Sequence, residues 1–377
     1  MQPFDISSAL DAHFPGNTLP YAPLDHLGVL KVHGTDAPSF LQGQLTNDVL
    51  GLEAGKARLA GYLTPTGRLL ATFWVIRQDE APEPEQPEEP VFWLVCARDI
   101  SAAIAKRLSM YVLRAKARVE DLSSQRQVLG FVGTPGRAGT PLADSAEPPV
   151  VAALPDVTLT ETTTDMLTTP VRRLLGPERQ LLRSLLIVSP ATLAGEGGKP
   201  RRLRMNDSDW LQLDVASGVP WISADTQERF IPQMLNLDLV DGVSFRKGCY
   251  PGQEVVARSE YRGKVKRRMF AGLCSGPLPR PGTDIIAYDG TVVGQVVCTA
   301  SLSATPDEEV TALLDSDPSD PDSQLPITLV GRRYLMLFEA RIEVIGAQPR
   351  TAGMIATSLR VGHAAIGLLQ LPYALPA

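Results

Sequence analysis

A thiol placed among cations and glycines is where this chain's residue types and spacing could do chemistry. The run is Lys247-Gly248-Cys249-Tyr250-Pro251-Gly252-Gln253-Glu254, directly after Arg246 and followed by Arg258. Cationic neighbours stabilise a thiolate, and the thiolate is both the nucleophile and the metal ligand. The two glycines let the backbone turn sharply and approach a ligand closely. A second reading stands beside this one: a turn holding a buried, inert cysteine, since free cysteine is among the most buried residue types. Cys96, Cys274 and Cys298 form no CxxC pair and no zinc spacing, and lie in apolar runs that read as packing. Histidines 13, 26, 33 and 363 form no i, i+4 ligand pair, so no metal is expected. Scattered cysteines of this kind fit a reducing, cytoplasmic compartment.

The scaffold for that thiol is large. A chain of 377 residues needs two or three cores, and 44% hydrophobic content is that of a globular protein. No basic, apolar leader opens the chain, and no run nears the roughly 18 to 20 apolar residues of a membrane span, so no membrane partner is expected. The net charge of −6 gives no general attraction for nucleic acid. Much of the acidity sits in residues 79–90 (DEAPEPEQPEEP) and 306–326 (PDEEVTALLDSDPSDPDSQLP), which read as solvated, strand-poor surface insertions. The basic run 262–268 (RGKVKRR) invites a nucleic-acid reading, but it more often marks an exposed strand edge, and no direct nucleic-acid partner is expected.

The elements follow from hydrophobic period. Residues 29–33 (VLKVH) alternate as a strand. A short helix follows, with Asp36 as N-cap before Ala37-Pro38 and Phe40, Leu41 and Leu45 on one side. Residues 57–63 and 68–77 are strands joined by Thr64-Pro65-Thr66-Gly67, which has type I turn composition. Residues 91–97 (VFWLVCA) form a third strand. An amphipathic helix then spans 99–117, with Ile100, Ile104, Leu108, Tyr111, Val112 and Ala115 as its stripe. Adjacent strands followed by a helix point to an α+β layer with antiparallel pairing. Residues 133–150 read as a loop or insertion, and 180–189 (QLLRSLLIVS) as either helix or strand. From 268 the chain turns strand-rich. A hairpin runs 285–288, turns at Asp289-Gly290 and returns through 291–297. Runs at 335–338 and 366–371 complete a small β-barrel.

KGCYPGQE followed by Val255-Val256-Ala257-Arg258 resembles the signature of the YgfZ-type folate-binding proteins, relatives of the aminomethyltransferase (T-protein) of the glycine cleavage system. Residues 40–49 (FLQGQLTNDV), 61–68, 218–220 (GVP) and 230–237 (FIPQMLNL) match further blocks, with a weaker echo at 362–371. The resemblance implies an α+β, aminomethyltransferase-like tripartite fold around a central folate-binding hole, with a C-terminal β-barrel. Residues 1–267 would form the folate-binding region, as two α+β subdomains with insertions near 79–90 and 133–150. Residues 268–377 would form the barrel, with an insertion near 301–326. Tetrahydrofolate, or a reduced folate derivative, is the implied cofactor. Lys247 and Arg258 would offer cations, Tyr250 a stacking face, and Gln253 and Glu254 polar ends.

The resemblance also separates this chain from the transferases. Their pattern after the glycine turn carries paired Asp, whereas this chain has Gly67-Arg68-Leu69-Leu70-Ala71-Thr72. Methyl and hydroxyl groups cannot carry charge or accept a proton near neutral pH as a carboxylate does. At Asp214-Val215-Ala216-Ser217-Gly218 the transferases' Arg and Glu are likewise missing. The implied function is a tetrahydrofolate-binding accessory protein for assembly, repair or maintenance of iron–sulfur enzymes, including tRNA-modifying ones, with Cys249 as working thiol. Its partners would be those enzymes or cluster-assembly proteins. The alternative is a tetrahydrofolate-dependent one-carbon (aminomethyl-type) transferase using Asp48 or Glu254. A folate store without a partner is a third reading.

Overall fold

The computed structural model describes residues 21–79, 90–132, 150–154, 157–158, 180–181, 183–188, 205, 207–261, 265–302, 310–315, 324–329, 332–345 and 355–376. The chain opens with β1 (Tyr21–Pro23), β2 (Leu27–His33), α1 (Ala37–Gln42), β3 (Ala57–Leu63), β4 (Leu69–Asp79), β5 (Pro90–Ala97), α2 (Arg98–Val112) and β6 (Arg118–Asp121). Next come β7 (Gln127–Val132), β8 (Val150–Ala153), β9 (Val157–Thr158), β10 (Gln180–Leu181), β11 (Arg183–Val188), α3 (Asp207–Ala216) and α4 (Gln253–Tyr261). The C-terminal part holds β12 (Arg267–Ser275), β13 (Asp284–Ile286), β14 (Val292–Ser301), β15 (Val310–Asp315), β16 (Gln324–Leu329), β17 (Arg333–Arg341), α5 (Ile342–Ile345), β18 (Ile355–Val361) and β19 (Ala364–Leu369).

The first sheet runs β3-β4-β5-β2-β6, all antiparallel, with the short turn 64–68 joining β3 to β4. A second sheet runs β1-β7-β11-β8, so residues 183–188 of the ambiguous 180–189 run are strand. The third runs β13-β14-β17-β12-β19-β18, and pairing of β13 with β18 closes it into a six-stranded barrel. One apolar core extends from the first sheet through α3 and the signature turn to the barrel's outer face. A smaller one, with Phe270, Cys274, Ile285, Val296, Met336, Phe338 and Ile366, fills the barrel.

Several local expectations change. The helix expected over 99–117 stops at Val112, because the Lys116 backbone is captured from both sides by Asp36. The Lys116 N–H donates to Asp36 Oδ2 at 2.7 Å, and the Asp36 N–H donates to the Lys116 carbonyl at 3.1 Å. Asp36 stands at the N-cap of α1 as expected, but its side chain, taken by Lys116, makes no cap bond there. In the barrel hairpin the Gly290 N–H donates to the Ala287 carbonyl, so Asp289 and Gly290 belong to a longer turn with Gly290 at φ 83°. The acidic 306–326 region is not strand-poor: β15 lies within it and pairs antiparallel with β16, which starts in the region at Gln324 and runs on to Leu329. Residues 267 and 268 of the basic run are not an exposed edge. Arg267 and Arg268 begin β12, which sits between β17 and β19; Arg267 pairs with Glu339, and Arg268 with Asp238 at 2.6 Å. Residues 80–89, 133–149, 262–264, 303–309 and 316–323 lie outside the described residues. Among the described residues no helix is long and apolar enough to cross a membrane.

Candidate functional site

Sequence blocks some 200 residues apart meet at the signature turn. Backbone and side-chain bonds lay residues 241–247 along residues 42–48. The Ser244 N–H donates to the Thr46 carbonyl at 2.9 Å, Thr46 Oγ1 to the Gly242 carbonyl at 2.7 Å, and Asn47 Nδ2 to the Leu59 and Asp241 carbonyls at 2.8 and 2.5 Å. Lys247 completes the clamp. Its Nζ donates to the Gln42 and Leu45 carbonyls at 2.5 Å each, and lies 5.0 Å from the centre of the Tyr250 ring. Burial lowers the Lys247 pKa to about 8, against the opposing pull of the Asp48 charge. Burial likewise pushes the Tyr250 hydroxyl up to about 12, and the ring belongs to the main core.

Between these two anchored side chains Cys249 is exposed. The other three cysteines are buried, and burial raises all three pKa values, those of Cys274 and Cys298 to about 12. Gly248, beside it, has open space where a Cβ would stand. Gly252 does not: at φ +80° it rests on Thr64 and Gly67, so the hairpin turn sets the start of α4. From α4, Gln253 is half-buried, while Glu254 and Arg258 lie on the outer face and pair with each other at 3.1 Å. With Ala257 and Tyr261 they line a shallow groove of about 230 Å³. That is below the roughly 300–1,000 Å³ of a small-molecule pocket. Lys247 and Tyr250 turn inward and do not line this groove; the residues expected at folate therefore divide between a buried clamp and an outer helix face.

The two stretches that lack transfer carboxylates are structural. Thr72 Oγ1 donates to the Pro220 carbonyl at 3.0 Å and accepts from the Ile222 N–H at 3.2 Å, tying β4 to the segment after α3. Asp214 is 1% exposed and accepts from Arg183 Nη1 at 2.5 Å and Trp221 Nε1 at 2.9 Å. Arg183, equally buried, lies 5.3 Å over the Trp210 ring, which packs against Gly130 of β7. Sequence reasoning missed this network. Its signal was an arginine inside an otherwise apolar run, which demands a buried partner.

A larger cavity, also missed, opens between the ends of the first sheet, α3 and the barrel. It measures about 490 Å³, with Leu211, Trp221, Pro281, Val297 and Cys298 among its walls and His26 at its rim. His26 Nδ1 donates to Asp207 Oδ1 at 2.5 Å. Its other ring nitrogen, Nε2, is buried and has no hydrogen-bond partner among the described residues. Among the described residues no group of three or more His, Cys, Asp or Glu could hold a metal ion.

An α+β chain with a closed C-terminal barrel shares its fold with a glycine cleavage aminomethyltransferase. Aminomethyltransferase T from Bartonella henselae superposes with a TM-score of 0.57, covering 97% of this chain and 88% of that one at 14% identity. The fold class is therefore aminomethyltransferase T-like. No family model matches the chain. It is 31% identical over 268 residues to the tRNA-modifying protein YgfZ of Klebsiella pneumoniae (strain 342), covering 70% of this chain and 74% of that protein. To the tRNA-modifying protein YgfZ of Edwardsiella ictaluri (strain 93-146) it is 33% identical over 250 residues, covering 66% and 69%. The chain belongs to the YgfZ family.

Proposed function

We propose that this protein is a tetrahydrofolate-binding accessory factor that supports iron–sulfur enzymes, tRNA-modifying ones among them, and that Cys249 is its working thiol. The observation that carries the reading is the exposure of Cys249 on a loop clamped on both sides, while every other thiol is buried. One thiolate cannot hold a cluster, which usually takes four. Cys249 therefore serves as one ligand shared with a client, or in thiol exchange, and the cluster is cargo rather than a resident group. The relatives' names support a connection to tRNA modification. The cytoplasm is the compartment that this reading requires.

Folate fits the 490 Å³ cavity better than the groove on α4. The cavity has the volume, Trp221 among its lining residues, and in His26 Nε2 a buried nitrogen without a partner among the described residues. Bound there, a reduced folate would supply a one-carbon carrier. The chain's own residues would bind and orient it, Trp221 by apolar contact and His26 by a hydrogen bond at Nε2. Lys247 and Tyr250 act on the loop of Cys249, while Gln253, Glu254 and Arg258 belong to α4, and Glu254 and Arg258 line its separate groove. The transferase alternative is disfavoured because Thr72 is committed to the backbone and Asp48 to Gln42 and Arg58.

Calorimetry with several reduced folates tests the placement. Binding is expected in the native chain, weakened in Trp221→Ala and His26→Leu. Loss in Arg258→Ala alone would move the site to α4, and no binding to any folate would remove folate from the account. Turnover of a folate adduct, lost in Glu254→Ala but kept in Cys249→Ala, would restore the transferase.

A further inference from the structure

The apolar stripe of α2 runs past the core that should cover it. Ile100, Ile104 and Leu108 are buried, but the end of the helix carries exposed apolar side chains: Met110 is 60% exposed, Tyr111 44% and Leu113 87%. Leu113 also sits at φ 48°, a left-handed conformation that costs a leucine energy and turns its side chain out to solvent. Beside this patch lies a groove of about 560 Å³, lined by Ser109, Val112, Ala117 and Val119 with Arg118 and Glu120. Its floor is β6, which pairs with β2 on one side and, among the described residues, with nothing on the other. Such a free edge is a template for an added strand.

The charge around the groove says what kind of strand. Lys106, Arg114, Lys116 and Arg118 are all exposed, and among the described residues none pairs with a carboxylate. The acid on this rim, Glu120, is bonded to His33 Nε2 at 2.8 Å. A cationic rim on a chain of net charge −6 is a local inversion of sign. The Lys116 backbone, pinned to Asp36, holds it in place. We propose that this face docks an extended, acidic segment of a partner protein, which adds to β6 as a strand. Its apolar side chains enter the groove against Val112, Ala117 and Val119 and extend over the neighbouring Leu113, and its carboxylates meet the four cations. The unpaired edge of β6 offers backbone donors and acceptors that another strand satisfies, which favours a peptide over a nucleic acid. The inference depends on neither the thiol nor folate.

Fluorescence anisotropy of a labelled heptapeptide alternating glutamate with valine and leucine provides the test, using the full chain. Saturable binding that weakens with salt is expected, with loss of about tenfold or more in Arg114→Glu/Arg118→Glu and in Leu113→Gly. Glycine suits the φ of residue 113, so the second variant keeps its fold while losing the apolar contact. The proposal is overturned if the peptide does not bind, if both variants bind it as the parent does, or if a lysine-alternating peptide binds equally. Tighter binding of a single-stranded RNA 12-mer would make the face a nucleic-acid surface instead. Sedimentation showing a dimer that Leu113→Gly dissociates would assign it to a second copy.

Discussion

Gly252 and Gly67 meet backbone to backbone: a Cβ on Gly252 would stand 2.7 Å from the Gly67 Cα and 2.5 Å from the Thr64 carbonyl oxygen. The second glycine of the signature is thus a packing requirement, joining α4 to the β3–β4 hairpin. The first, Gly248, meets nothing. Gly252→Ala should destabilise the fold by about 2 kcal/mol or more, whereas Gly248→Ala should stay within about 0.5 kcal/mol. Urea denaturation of both variants checks the contrast. A stable Gly248→Ala variant that fails in cells would show that bare backbone beside Cys249 is needed by a ligand or partner.

Lys247 is buried enough to lose its proton near pH 8 while the chain stays folded. Its folded pKa lies below its unfolded value of about 10.4. Between those two values the unfolded chain binds more protons, so this group's contribution makes stability rise with pH from about 8 to about 10.4. Carbon-detected NMR of the lysine side chains should show one titration near pH 8 that Lys247→Met removes. That variant leaves two backbone carbonyls without their donor and should lose about 1–3 kcal/mol.

The Arg183–Asp214 pair lies wholly inside. Arg183→Ala or Asp214→Ala leaves an uncompensated buried charge and should cost about 3–5 kcal/mol by chemical denaturation. Replacing both with Met and Leu should cost less than either single change. Additive losses would show that the pair is not coupled.

Thiol accessibility has a direct chemical signature. With a disulfide reagent at neutral pH the native chain should release one equivalent rapidly and three more only in denaturant, because Cys96, Cys274 and Cys298 are buried. Cys249→Ala should abolish the fast phase and nothing else.

What could be read from sequence was what local pattern encodes. Strict alternation at 29–33 and an apolar run at 91–97 gave strands, and the TPTG turn gave its hairpin. Leu108 was placed correctly in the core, but Tyr111, on the same stripe, was not, because the helix end depends on Asp36 reaching the Lys116 backbone across 80 positions. The motif blocks at 40–49 and 247–254 were both visible. That Lys247 points inward to hold the first block was not, since spacing along the chain carries no direction for a side chain. Arg183 and His26 stayed hidden for the same reason: each gains meaning only from Asp214 and Asp207, which tertiary folding brings within hydrogen-bonding distance.

The central claim is tested most directly by Cys249→Ala, produced in cells that depend on this protein for an iron–sulfur tRNA-modifying enzyme. The variant should fold, keep the reduced-folate affinity of the native chain, and fail to restore the modified nucleoside measured by mass spectrometry of bulk tRNA. Full restoration by Cys249→Ala would contradict the account.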